Sequence, residues 1–275
     1  MNASPPDLSI VIVAYNGADL LHATLRSVEH YTHDITYEII AIDNASPNLD
    51  FLALRRAFPH VHFVRNRHNL GYAGANNRGL RMSRGRYVVL LNPDTLLHNN
   101  ALSQLVHWLD THPDVAVAAP QLLQINGQTQ PYSYGAMPSP RYLVRRLMSH
   151  VRGTYLHAWN KAEPQQADWV AGTCLMARHA AIAAVGLLDE RFFLYFEDVD
   201  WGVRFTRAGW RVMFVPTISI IHVGGASVGT GSIAHYDRSL VRLYAKYYGG
   251  LAGAAMFYAL RMYRTLQSLQ GFVRK

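Results

Sequence analysis

Apolar positions in the first hundred residues alternate between two periods. The run Leu8-Ser9-Ile10-Val11-Ile12-Val13-Ala14 is short, continuous and rich in β-branched residues, as a buried parallel strand requires, and residues 17–31 carry Leu21, Leu25 and Val28 at helical spacing. The same alternation recurs as strand 37–42, helix 49–58, strand 61–64, helix 73–82 and strand 87–91. It predicts an α/β fold, a largely parallel sheet covered by helices on both faces. A helix over 100–108 with Asn99 or Asn100 as N-cap, a strand over 115–118 and a hairpin at Asn126-Gly127 follow.

From Pro131 to Pro164 the periodicity weakens while Pro, Tyr and Arg accumulate, which predicts a surface excursion or lid. Regular patterning resumes as strand 169–177, helix 179–185, helix 198–208 closed by Gly209, and strands 212–215 and 218–221. Beyond His235 the chain is helical. Leu251, Ala255, Tyr258, Met262, Leu266, Leu269 and Val273 fall on one face, a stripe that core packing and an interfacial membrane helix explain equally well. Arg261 and Arg264 interrupt it too often for a membrane span.

Composition narrows the classes. With 275 residues, half of them apolar, the chain can bury a sizeable core. Cys174 is the only cysteine, which excludes an intrachain disulfide and fits a reducing compartment. The polar start and the short first apolar run do not read as a secretion signal, so a cytoplasmic protein is the expectation. The net charge of +8 is concentrated at Arg141, Arg145, Arg146 and Arg152, and again at Arg238, Arg242, Lys246, Arg261, Arg264, Arg274 and Lys275. An anionic partner is implied, and nucleic acid, anionic lipid and a diphosphate-bearing substrate all satisfy it. No recognition helix or RNA-module signature accompanies the charge, so nucleic acid is not an expected partner.

The densest chemical signal is Phe192-Phe193-Leu194-Tyr195-Phe196-Glu197-Asp198-Val199-Asp200-Trp201, three acids embedded in aromatics at a helix start. Carboxylates beside large apolar groups are costly unless paired, metal-bound or used in proton transfer. They also fit helix N-terminal acids complementing the macrodipole, worth about 0.3–1 kcal/mol each. Tyr195 and Trp201 suit sugar-stacking walls and core packing about equally. Asn92-Pro93-Asp94 follows a strand, where ligands of open α/β sheets gather, and Asp94 suits either a hard divalent cation or a type I turn. Ile42-Asp43-Asn44-Ala45-Ser46 closes another strand; base or ribose recognition competes there with an Asx turn, the stronger reading in isolation. Asn69-Leu70-Gly71-Tyr72-Ala73-Gly74-Ala75-Asn76-Asn77 allows close backbone approach to an anion or sugar, or close helix packing, and is not the Gly-x-Gly-x-x-Gly of dehydrogenases. His222, in His222-Val223-Gly224-Gly225-Ala226-Ser227, offers a metal nitrogen or a plain hydrogen-bonded histidine.

Taken in order, Ser9 to Asn16, Ile42 to Ser46, Asn69 to Ala73, Asn92 to Asp94, Gly172 to Arg178, Phe192 to Trp201 and His222 to Gly225 resemble the family 2 glycosyltransferases of the GT-A fold, in particular the bacterial rhamnosyltransferase-like branch of cell-envelope polysaccharide synthesis. The resemblance implies a catalytic unit over residues 1–234, its nucleotide-binding half about 1–120 and its acceptor-binding half about 121–234, with a helical extension over 235–275. It implies an inverting transfer from a nucleoside diphosphate sugar, dTDP-rhamnose or a UDP-sugar, to a saccharide or polyprenyl-linked saccharide, at the inner face of the membrane if an anionic surface is engaged. Donor contacts are implied at Ala14, Tyr15, Asn16, Asp43, Asn44, Asn69, Gly71, Asn76, Asn92 and Asp94. Mg²⁺ or Mn²⁺ is implied at Asp94 and His222, the catalytic base at Asp198, and acceptor contacts at Glu197, Asp200, Trp201, Gly172 and Tyr195. Asn92 stands where the family's Asp-x-Asp motif has its first acid. A catalytically silent glycan-binding relative is the alternative. A sugar nucleotidyltransferase would carry a Gly-rich basic loop after the first strand, where this chain has Ala14-Tyr15-Asn16-Gly17.

Overall fold

The computed structural model describes residues 4–151, 159–224 and 232–273, with residues 146, 147, 150, 151 and 266–273 described by backbone alone. Arg152, Gly225, Ala226, Ser227, Arg274 and Lys275 lie outside the described residues, as do the side chains of Arg146, Leu266, Leu269 and Val273.

The strands are β1 (Leu8–Ala14), β2 (Tyr37–Asp43), β3 (His62–Arg65), β4 (Tyr87–Leu91), β5 (Thr95–Leu96), β6 (Val115–Leu123), β7 (Tyr134–Gly135), β8 (Gln165–Gln166), β9 (Trp169–Val170), β10 (Cys174–Arg178) and β11 (Arg211–His222). The helices are α1 (Ala18–Tyr31), α2 (Phe51–Ala57), α3 (Gly71–Met82), α4 (Ala101–Asp110), α5 (Pro140–Val151), α6 (His179–Val185), α7 (Glu197–Arg207), α8 (Ser232–Tyr248) and α9 (Gly250–Val273). The main sheet runs β3-β2-β1-β4-β10-β6-β11-β5, with β8 on β11, while β7 and β9 form a separate ribbon.

The β1-to-β4 half is parallel throughout, as the alternation of patterns predicts. The other half is mixed, because β10 runs antiparallel between β4 and β6. Leu8, Ile10, Ile12 and Ala14 pack on the α1 and α4 side of the sheet, whereas Val11 joins Leu80, Trp201 and Phe205 on the other. The continuous apolar run of β1 is thus explained by burial on both faces.

Two local expectations are corrected. Residues 169–177 form two strands, because Ala171-Gly172-Thr173 turns aside to meet other partners: the Tyr72 hydroxyl donates to the Gly172 carbonyl and the Asn92 amide to that of Thr173. Residues 211–222 form one strand, with a register shift between Val215 and Ser219 in place of a turn. Asn100 stands at the N-cap of α4, as expected, but its side chain makes no cap hydrogen bond and accepts from the His33 amide. The described part of the C-terminal stripe, from Leu251 to Met262, faces solvent. Leu251, Tyr258 and Met262 are 90%, 69% and 65% exposed, while Ala252, Met256 and Leu260 turn to a cluster of Phe192, Phe196, Val199, Leu240, Leu243 and Tyr244. No helix among the described residues is long and apolar enough to cross a membrane.

Candidate active site

Two residues in left-handed backbone conformation, Tyr195 (φ 69°) and Phe196 (φ 68°), aim the first turn of α7 into a cavity. Bulky side chains rarely adopt that conformation, and each costs on the order of 1 kcal/mol or more. The elbow is fixed from outside. Gly71, itself at φ 73°, sits so close that a Cβ there would lie 2.3 Å from the Phe193 carbonyl oxygen, and the Tyr72 amide donates to that oxygen at 2.7 Å. Gly71 therefore packs directly against the acid loop.

Asp198 accepts from the Gly172 amide at 3.0 Å and from the Val199 amide at 2.8 Å. Glu197 is buried, and its Oε2 has no hydrogen-bond partner among the described residues. Burial, then the neighbouring Asp198 charge, pushes Glu197 well above its ordinary 4.5. Burial raises Asp198 too, and the amides of Gly172, Val199 and Asp198 itself offset only part of that rise. Within the pair the proton sits on Glu197 and the charge on Asp198.

That division has a measurable consequence. A carboxyl raised in the folded state holds its proton more tightly there than when unfolded. Its contribution is fullest below the unfolded value of 4.5 and is lost as pH rises through the raised value, by about 1.4 kcal/mol for each pH unit that separates the two. Glu197→Gln, neutral throughout, should melt above the wild type near pH ~8 and converge with it near pH ~4. Parallel melting curves across that range would place the proton elsewhere.

Asp94 and His222 are brought together by strand pairing. Thr95 of β5 lies opposite His222 of β11, and the Val223 amide donates to the Asp94 carbonyl. His222 Nε2 lies 3.3 Å from Asp94 Oδ1, a buried oxygen with no hydrogen-bond partner among the described residues. On the far side of the ring, His222 Nδ1 is 2.9 Å from Gln130 Oε1, an acceptor, so the proton belongs on Nδ1 and the Nε2 lone pair faces the carboxylate. Two lone pairs turned on each other with no donor between them fit a bound cation. No group of three or more His, Cys, Asp or Glu ligands occurs among the described residues, so water or substrate oxygens would complete its shell. Buried Cys174 is no nucleophile; burial pushes its thiol up to about 12.

The crevice beyond β1 and β2 is framed by a hydrogen-bonded polar loop. Asp43 accepts from the Ser46 amide and lies 3.0 Å from Arg65 Nε, so the Asx-type turn is the arrangement found. Asn44 donates to Asn69 Oδ1 and the Gly71 carbonyl, and accepts from Asn66 Nδ2 and the Leu70 amide. These residues hold the loop's shape, and Asn76, buried in α3, donates to its own helix at the Tyr72 carbonyl. Next to buried Ala14, exposed Tyr15 and Asn16 face solvent at the same sheet edge.

A cavity of about 580 Å³ joins the acids to Asn92, Gly172, Tyr195 and Tyr72. Its far wall is aromatic: Tyr132, Tyr142, Trp159, Trp169 and Tyr236. None of the five was singled out from sequence; the accumulation of Tyr and Pro between residues 131 and 164 signals Tyr132, Tyr142 and Trp159, and nothing local signals Trp169 or Tyr236. Asp94 and His222 do not line this cavity; the link to it is Asn92, one short turn before Asp94, which lines it and whose amide donates to the Thr173 carbonyl next to Gly172. Two of the acceptor candidates are buried away from the cavity. Trp201 is fully buried with its indole N–H donating to the Gly186 carbonyl. Asp200, also fully buried, is ion-paired with Arg204 at 3.0 Å and Lys246 at 2.5 Å and accepts from the Tyr247 hydroxyl, so it ties α7 to α8.

Residues 9–174 match the family model described as glycosyl transferase family 2. An N-acetylglucosaminyl-diphospho-decaprenol L-rhamnosyltransferase of Mycobacterium tuberculosis is 29% identical over 83% of this chain and 80% of its own length. Rhamnosyltransferase WbbL of Escherichia coli K12 is 23% identical over 78% of this chain and 82% of its own. Among solved structures, GalNAc-T7 with UDP, GalNAc and Mn²⁺ superposes with a TM-score of 0.66 at 21% identity, over 87% of this chain. This chain spans about half (48%) of that one. Mannosyltransferase PcManGT from Pyrobaculum calidifontis, in complex with GDP-Man and Mn²⁺, gives 0.62 at 17% identity, over 100% of this chain and 84% of its own. The shared architecture is the GT-A fold, a mixed sheet flanked by helices.

Proposed function

Since the chain belongs to glycosyl transferase family 2 and its relatives include rhamnosyltransferases, we propose that it is an inverting glycosyltransferase that moves rhamnose from dTDP-rhamnose to a lipid-linked saccharide in cell-envelope synthesis. The observation that carries this reading is Asp198, held by two amides at the mouth of a helix and facing a cavity walled with aromatic rings.

Asp198 takes the proton of an acceptor hydroxyl as that oxygen attacks the anomeric carbon from the face opposite the diphosphate, so one base suffices and the configuration inverts. Neutral Glu197 spares Asp198 a second negative charge. The aromatic wall binds the apolar faces of acceptor sugar rings and excludes water from the reacting centre. Asn92 bridges the two sides, while Asp94 and His222 would hold Mg²⁺ or Mn²⁺, which when bound stabilises charge gathering on the departing diphosphate. Tyr15 and Asn16, on the loop after β1, receive the nucleoside beside the loop that Asp43 and Asn44 shape, to which the Asn16 amide is bonded at the Ser46 hydroxyl.

The test is nucleoside diphosphate release from a panel of dTDP- and UDP-sugars, with Mg²⁺, with Mn²⁺ and with chelator. Release is expected only with a cation and fastest from dTDP-rhamnose. Preference for a UDP-hexose would correct the donor. Absence of both hydrolysis and transfer across the panel would leave a glycan-binding protein without turnover.

A further inference from the structure

We infer that the groove between α8 and α9 is a second binding site, separate from the catalytic cavity, that holds the phosphate headgroup of an anionic membrane lipid. The groove encloses about 1000 Å³, and Arg191, Arg238, Arg242, Lys246, Arg261 and Arg264 line it against one carboxylate, Asp237. Three of these cations are internally neutralised: Arg264 pairs with Asp237 at 2.9 Å, Arg191 with Asp189 at 2.6 Å, and Lys246 with Asp189 and Asp200. Arg238, Arg242 and Arg261 have no carboxylate within 4.0 Å among the described residues, and all three are exposed.

Their placement is geometric. Arg238 and Arg242 stand one turn apart on α8, and Arg261 faces them from α9 across a floor that includes Val241, Phe257 and Leu260. Converging guanidinium groups select phosphate oxygens. The apolar side of the ligand is also provided for. Leu251, Ala255, Tyr258 and Met262 make one exposed stripe of α9, next to the face that carries Phe257 and Arg261. A soluble phosphate has no use for such a stripe, whereas a lipid surface covers it while its headgroups meet the arginines. The opposite flank of α8 presents Tyr236 and Leu240 to the catalytic cavity. A lipid surface at the groove therefore lies about one helix diameter, ~10 Å, from that cavity.

The test is flotation of the purified protein with phosphatidylcholine vesicles, with and without phosphatidylglycerol, at low and high salt and without donor. Binding is expected only to vesicles containing phosphatidylglycerol. Combined Arg238→Gln, Arg242→Gln and Arg261→Gln should weaken it roughly a hundredfold while donor hydrolysis and the thermal melt stay at wild-type values. Tyr258→Ser with Met262→Ser should abolish the part of binding that survives high salt. Should the triple variant melt early, Arg242→Gln and Arg261→Gln tested singly should each lose severalfold. Vesicle binding that ignores the arginines would overturn the inference. So would inorganic pyrophosphate binding that needs the arginines in a protein that does not float with vesicles, since the site would then serve a soluble anion. Flotation is read without turnover, so its failure leaves the catalytic reading standing and the converse also holds.

Discussion

Asp198→Asn should lower transfer by roughly 10³-fold with donor affinity close to wild type. The amide is isosteric and keeps an acceptor for one of the two backbone N–H groups, from Gly172 or Val199, so α7 should still start at the same elbow. What is lost is basicity, and the loss falls on kcat because proton removal belongs to the transition state. A second signature separates this from general damage. Removing the Asp198 charge relieves its neighbour, so Glu197 should titrate closer to its ordinary range in the variant. A well-folded Asp198→Asn enzyme with near-normal turnover would remove Asp198 from the role of base.

Asp94→Ala and His222→Ala should each weaken Mn²⁺ binding by more than about 10²-fold, measured by titration without sugar donor. Among the described residues one carboxylate and one imidazole face the cation, so loss of either halves that share of the ligand set. Gln130→Leu should cost about 10- to 100-fold through ring orientation alone, the usual effect of removing an outer-shell partner. Unchanged titration in the Asp94 or His222 variant would take that residue out of the metal site, and turnover of the same variants at saturating Mn²⁺ would show whether the cation acts in chemistry or only in binding.

Much of this arrangement was legible in the chain. The strands ending at Ala14, Asp43 and Leu91 are continuous apolar runs bounded by turn residues, and such runs place their following loops at one edge of a parallel sheet. The acid cluster could be found because carboxylates among aromatics are chemically anomalous. The separate fates of those acids could not be found that way: Asp198 and Asp200 differ by two positions, yet one faces a cavity and the other meets Lys246 from a helix 46 residues later. Nothing local to Asp200 announces that partner. Trp201 shows the same limit, since an indole beside carboxylates suits a sugar platform and a core equally until its neighbours are known. Gly71 reads as room for a ligand and proves to be room for Phe193, because a gap in side-chain volume does not say what fills it. The long strand β11 hid behind Pro216, which resembles a break in sequence but is absorbed where the ladder shifts register.

That pairing of β5 with β11 has a further bearing on how the site can change. The gap between Asp94 and His222 is inherited from two backbone rungs at an edge of the sheet, not from side-chain rotamers. Sliding the edge by one residue would turn the imidazole to the opposite face. Grip on the cation and fraying of that border are thus a single coordinate, and exchange of the Val223 amide, which donates across the pairing to the Asp94 carbonyl, should slow whenever Mn²⁺ is held.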